Sequence, residues 1–143
     1  MDGLAQLSFL IHGLLEGRVG EKGLSMIQAR LLGVLRDRTP TMQELARLLS
    51  LDKSSVTGLV DRAERRGLVV RVPSETDGRV ARVNLTDAGG TLASEVASQF
   101  ERDVSNLLEL LPRSEDRAAL ARLVSCLLVA HAEARGVDLF ATL

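Results

Sequence analysis

These 143 residues hold one cysteine, three phenylalanines and neither tryptophan nor tyrosine. A lone Cys126 excludes an intrachain disulfide, and a reducing interior is the default compartment. Phe9, Phe100 and Phe140 are too sparse to build an aromatic stacking platform for single-stranded nucleic acid. His12 and His131, even with Cys126, are too few for a Cys/His zinc site, so neither a metal nor a cofactor is expected. No apolar run approaches the roughly 20 residues of a membrane span. Met1-Asp2-Gly3 lacks the basic start of a signal peptide, so a cytoplasmic protein with no membrane partner is expected. What is present is apolar bulk. Hydrophobic residues make up 45% of the chain, enough for one domain, or for a head with a helical arm. The net charge of −1 hides an uneven spread. Residues 36–82 are net +3 and the remainder net −4, a basic middle between acidic ends that is also within chance variation.

Leu4, Leu7, Ile11, Leu14 and Leu15 recur at helical spacing, predicting a helix over 4–15 that Gly17, Gly20 and Gly23 break. Ser25 with Gln28 forms a capping-box pattern that opens a second helix to about Leu35. Thr41 with Glu44 repeats the pattern ahead of a short helix with Leu45, Leu48 and Leu49 inside. Ser50-Leu51-Asp52 interrupts it. Asp52 is placed to cap the next helix, with Val56, Leu59, Val60 and Ala63 inward and Gly67 at its end. The period then shifts to β. Residues 68–72 and 80–85 flank a charged turn at Asp77-Gly78, which predicts a hairpin. Thr86 should cap a long helix to about Leu111, striped by Leu92, Val96, Phe100, Val104, Leu107, Leu108 and Leu111. Pro112 stops it. Ser114 is placed to cap a last helix carrying Leu120, Leu123, Val124, Leu127 and Leu128. Cys126 in that run reads as a small buried apolar residue.

Two short helices, a tight turn and a hairpin describe a winged helix-turn-helix. In that motif the second helix enters the DNA major groove with its N-terminal half against base edges. Here that half presents Lys53, Ser54, Ser55, Thr57 and Gly58. Their hydroxyls suit bases or phosphates, and the helix N-terminus itself suits phosphate; serine equally suits a helix start.

At this point the sequence resembles the MarR family of bacterial transcriptional regulators. The carrying stretches are 41–46, 54–62, Arg66-Gly67-Leu68-Val69, Asp77-Gly78-Arg79 and 85–89, in that order. The resemblance implies a homodimer whose first and last two helices interlock with the partner's. It also implies a double-stranded, palindromic operator. In such proteins the wing arginine, Arg79 here, enters the minor groove. Asp77 orients nearby basic groups or simply forms the turn. Lys53 and Arg62 would contact phosphate, while Arg47, Arg65 and Arg66 read as ordinary exposed charges. Gly58 stands where many relatives carry a long polar side chain, and Ser50 where they often carry glycine.

Family members often release DNA when a small molecule, frequently an aromatic carboxylate, enters a cleft between arm and head. The corresponding residues are His12, Arg18, Met26 and Arg30, although His12 equally suits a helix surface. The first helix has no cysteine, which speaks against thiol sensing. No nucleophile–base pair, carboxylate pair or Gly-rich phosphate loop supports an enzyme.

The expectation is a mainly α protein with a small β-hairpin wing. Residues 24–86 would form the winged helix-turn-helix, and 1–20 with 87–143 the helical dimerisation region. The function expected is a dimeric, sequence-specific DNA-binding repressor released by a small-molecule effector. A winged-helix protein-interaction module without its own operator is the alternative.

Overall fold

A computed structural model describes residues 2–74 and 80–135. Helix α1 (Gly3–Glu21) starts at Asp2, whose side chain accepts the Ala5 N–H. It runs straight through Gly17 and Gly20, contrary to the sequence expectation. A Cβ at either glycine would meet nothing within 4 Å, so both lie on the open side of the helix. The other side is anchored by buried Val19 and by Arg18, which pairs with Asp103. Packing thus outweighs the roughly 1 kcal/mol that each glycine costs. Gly23 does stop the helix, in the left-handed conformation at φ 63°, and Leu24 N–H closes the turn on the Val19 carbonyl at 3.1 Å.

Helices α2 (Met26–Asp37) and α3 (Met42–Leu49) each begin with the capping box read from the sequence. Ser25 and Gln28 exchange hydrogen bonds with each other's backbone, and so do Thr41 and Glu44. Ser50 ends α3 at φ 55°, ψ 43°, the left-handed region that glycine occupies most readily. Helix α4 (Lys53–Arg65) follows at once. Val56, Leu59, Val60 and Ala63 are buried on one face of it, as their spacing predicts. Gly67, at φ 70°, turns the chain into the hairpin.

Strands β1 (Val69–Pro73) and β2 (Ala81–Leu85) pair antiparallel, with Val69 opposite Leu85 and Arg71 opposite Val83. The α2–α3 turn adds a fragment of a third strand. Val83 N–H donates to the Pro40 carbonyl at 2.9 Å, and Thr41 bridges to Arg82. Buried leucines and valines from α2, α3, α4 and the hairpin form one core, joined by Ala93 and Val96 of helix α5 (Asp87–Glu109).

Thr86 caps α5 and also donates its hydroxyl to the Gly67 carbonyl at 2.6 Å, which fixes the exit of the head. Gly89, one turn in, sits so close to the hairpin that a Cβ there would lie 1.9 Å from the Leu68 carbonyl oxygen. Helix α6 (Ser114–Arg135) starts one residue earlier than the sequence suggests. Ser114 is already helical, and the Arg113 carbonyl accepts from Asp116 and Arg117. Residues 121–131 of α6 are exposed throughout, Cys126 among them. The buried Cys126 expected from the sequence is therefore wrong for the single chain. Its neighbours Leu127 and Leu128 are exposed as well, because none of the described elements packs extensively on α6.

Candidate nucleic-acid interface

The outward face of α4 is set by its inward one. With Val56, Leu59, Val60 and Ala63 buried, helical geometry turns Lys53, Ser54, Thr57 and Arg62 outward, and all four are exposed, as is Ser55. Ser54, Ser55, Gly58 and Arg62 line one shallow groove of about 310 Å³, completed by Ile27, Leu51 and Leu59. Lys53 and Thr57 lie outside that groove. The predicted reading surface is thus broader than the groove, and Gly58 leaves the backbone half-exposed on it.

The hydroxyls on this face are not idle. Ser54 Oγ donates to Asp52 Oδ1 at 2.6 Å, and Ser55 Oγ donates to Asp52 Oδ2 at 2.6 Å. Ser55 N–H adds a 2.8 Å bond to Oδ1. Those donors hold the Asp52 carboxyl below the usual carboxylate range, the Ser54 and Ser55 hydroxyls foremost. Thr57 Oγ1 donates back to the Lys53 carbonyl at 2.8 Å. Each hydroxyl proton is therefore committed within the helix start, and what the three present outward is oxygen lone pairs. Lone pairs suit amino groups on base edges better than phosphate. The N-cap itself is Asp52, and Ser54 and Ser55 lie within the first turn as donors to its carboxyl.

The positive charges on the face are differently placed. Among the described residues no carboxylate pairs with Lys53 or Arg62. Arg71 on β1 is the opposite case. Its backbone N–H and one terminal nitrogen bond Glu64, and the other terminal nitrogen donates to Asp61 Oδ1 at 2.5 Å. Burial opposes its charge, yet the bond to Asp61 and the charges of Glu64 and Asp61 raise its pKa further. Arg66, read as an ordinary surface charge, donates to the Gly23 carbonyl at 3.0 Å and ties α4 to the α1–α2 turn. Sequence reasoning missed Arg71. Asp61 and Glu64 share a helix face by their spacing, but their partner arrives only when the hairpin folds back.

Asp77 and Arg79 lie outside the described residues. The four effector candidates are not gathered into one cavity: none of the three grooves described here is lined by His12, Arg18, Met26 or Arg30. His12 and Arg18 are six residues apart on α1, about 240° around the helix. His12 is exposed, Arg30 is half-buried, and Met26 packs against the core. Arg18 is fully engaged. Its Nε and Nη2 grip both oxygens of Asp103 at 2.6 and 2.8 Å, and Nη1 reaches Glu21. That grip holds the Asp103 carboxyl below its ordinary range, chiefly through the Arg18 hydrogen bonds. Among the described residues no group of three or more acidic, His or Cys side chains is placed to hold a metal. None of their helices is long and apolar enough to cross a membrane.

Comparison with known proteins agrees with this geometry. The MarR family model matches residues 22–80, the span from the end of α1 into the wing. The regulator PecS of Dickeya dadantii is 29% identical over 126 residues, which is 83% of this chain and 76% of PecS. YusO of Bacillus subtilis superposes with a TM-score of 0.75 at 25% identity, covering 89% of this chain and 90% of YusO. NadR, in its complex with 4-hydroxyphenylacetate, superposes with a TM-score of 0.68 at 26% identity, over 87% of this chain and 89% of NadR.

Proposed function

The chain belongs to the MarR family of transcriptional regulators and is not an enzyme; from that premise we propose that it is a homodimeric, sequence-specific repressor that a small-molecule effector releases from DNA. The observation that carries the DNA-binding reading is the outward face of α4, where Lys53 and Arg62 have no carboxylate partner among the described residues and stand beside a row of lone-pair-bearing hydroxyls. A palindromic duplex matches two such faces related by a two-fold axis. Arg79, on the wing, is assigned to the flanking minor groove and Asp77 to its orientation.

Dimerisation is supported by apolar surface that a single chain leaves open. Leu4, Phe9 and Leu10 on α1 and Leu123, Val124, Leu127, Leu128 and Val129 on α6 are all exposed. Exposed apolar faces of this kind mark an interface. We assign 1–20 and 87–143 to it, and 24–86 to the head. The cytoplasm is the compartment where such a protein meets its operator.

For the effector, the complex of NadR with 4-hydroxyphenylacetate supports an aromatic carboxylate. Arg18 is already held by two carboxylates, so Arg30 or His12 is the cation assigned to it, with Met26 as the apolar wall. An effector acts only through its different affinity for the DNA-competent and incompetent states.

The test is titration of DNA flanking the protein's own gene, with and without competitor DNA, at two salt concentrations. Tight, competitor-resistant, salt-sensitive binding is expected. Absence of specific binding would leave the protein-interaction module as the better account, and partner capture would follow.

A further inference from the structure

We propose that the groove between the α2–α3 turn and β2 is an oxyanion site, built to hold a phosphate of the DNA backbone beside the wing. The inference rests on the DNA-binding reading above and extends it to residues outside α4.

The groove encloses about 330 Å³, and Arg38, Arg47 and Arg82 all line it. Of these, Arg47 and Arg82 make no ion pair with a carboxylate of the described residues, and among those residues the only carboxylate of the lining is Glu44. That carboxylate is already used, because it accepts the Thr41 N–H at 2.7 Å in the capping box. The arginines stand on a rigid frame. Pro40 is buried, its carbonyl is bonded by Val83, and Thr41 bridges to Arg82. Arg82 Nη1 donates to the Thr39 carbonyl at 2.8 Å, and its Nε lies 3.5 Å from Ser74 Oγ. Both acceptors are neutral, so the bonds aim the guanidinium without cancelling its charge. Arg18 and Arg71 show the contrast, since each is held by two carboxylates.

Arginine suits phosphate because its planar donors match two oxygens at once. The groove's position fits the backbone of a bound duplex. One wall is α3, which packs directly on α4, and the other is β2 of the wing. Contacts of this kind fix register without reading sequence. The same chemistry would hold a free phosphate-like anion, so the source has to be separated by experiment.

Arg47 is exposed, and no described hydrogen bond uses its side chain, so Arg47→Gln removes charge without disturbing the frame. Arg82→Lys keeps charge if Arg82→Gln proves unstable. Affinity for an operator duplex and for an unrelated duplex is measured across a salt series. With a backbone phosphate in the groove, Arg47→Gln weakens both duplexes by the same factor, and the slope of log K against log salt shrinks by about 0.9 per lost contact. A second arm compares melting in inorganic phosphate and in chloride at matched ionic strength. A phosphate-specific rise in wild type that Arg47→Gln loses, with an unchanged DNA slope, assigns the site to a free anion. Unchanged slopes together with no phosphate-specific rise overturn the site. If Lys53→Gln still weakens binding in that case, the DNA reading stands without the groove. If wild type binds no duplex, that reading fails and the phosphate arm alone decides the groove.

Discussion

The Arg71 guanidinium lies 2.5 Å from Asp61 Oδ1 and also bonds Glu64, so one side chain of the wing clasps two carboxylates of α4. The wing and the proposed recognition helix are thereby set at a fixed angle. Arg71→Met leaves the two carboxylates unpaired at the edge of the DNA face. The half-exposed setting limits the stability cost to about 1 kcal/mol, a few degrees of melting temperature. The loss of DNA affinity should be larger than that, since the wing is no longer aimed. Arg71→Lys should rescue only in part, because an ammonium cannot span both carboxylates as a fork does. Melting and duplex titration of the two variants check this. Lost stability with unchanged affinity would make the clasp purely structural.

Two glycines should respond oppositely to alanine. At Gly89 a Cβ would lie 1.9 Å from the Leu68 carbonyl oxygen and 2.9 Å from its carbon, which is backbone and cannot swing away. Gly89→Ala should cost about 3 kcal/mol or more, by prising α5 off the hairpin. At Gly58 the nearest neighbour is Arg62 Nη1 at 3.3 Å, the end of a flexible side chain. Gly58→Ala should therefore fold, and gain up to about 1 kcal/mol of helix propensity. If the bare backbone approaches DNA, the same variant binds its operator more weakly despite its higher melting point. Chemical denaturation of both variants, with titration of the second, separates the effects.

Acid should unfold the head through its caps. Asp52 and Glu44 are both held below their ordinary range, Asp52 by the Ser54 and Ser55 hydroxyls first and Glu44 by the Thr41 backbone first. The folded protein keeps them ionised at a pH where the unfolded chain has already taken up protons. Their stabilisation is therefore complete above about pH 5 and is lost as pH falls through the folded values. Asp52→Asn should lower stability at neutral pH and flatten its decline below about pH 4. Urea midpoints measured at steps between pH 3 and pH 7 test this. Parallel curves for the variant and wild type would contradict it.

The open leucines of α6 should govern assembly. Leu127→Glu places a charge where the dimer reading needs apolar contact, while Leu127 is exposed in the single chain. The variant should keep its helicity and sediment as a monomer, with specific DNA binding lost. A wild-type chain that already sediments as a monomer at micromolar concentration would remove the basis for the interface.

Much of this fold is legible in the sequence because its signals are local. The Ser25–Gln28 and Thr41–Glu44 boxes, the Asp52 and Thr86 caps and the inward face of α4 each depend on residues within a turn or two. The misreadings come from long-range contacts. Gly17 and Gly20 look like breakers, but α5 holds α1 through them by way of Asp103. Cys126 looks like core, but none of the described elements packs extensively on α6. On the site, the α4 face was legible from helical periodicity. The Arg71 clasp and the arginine groove were not, since each joins segments far apart in sequence.

The most direct test is a hydroxyl-radical footprint on the operator found beside the gene, read on both strands with wild type and Arg79→Ala. Two α4 faces in one dimer predict two protected major-groove segments centred about one helical turn apart, 10 to 10.5 base pairs. Wild type should also protect the flanking minor grooves, and Arg79→Ala should lose only that part. A single unpaired protected segment, or protection that ignores sequence, would contradict the account.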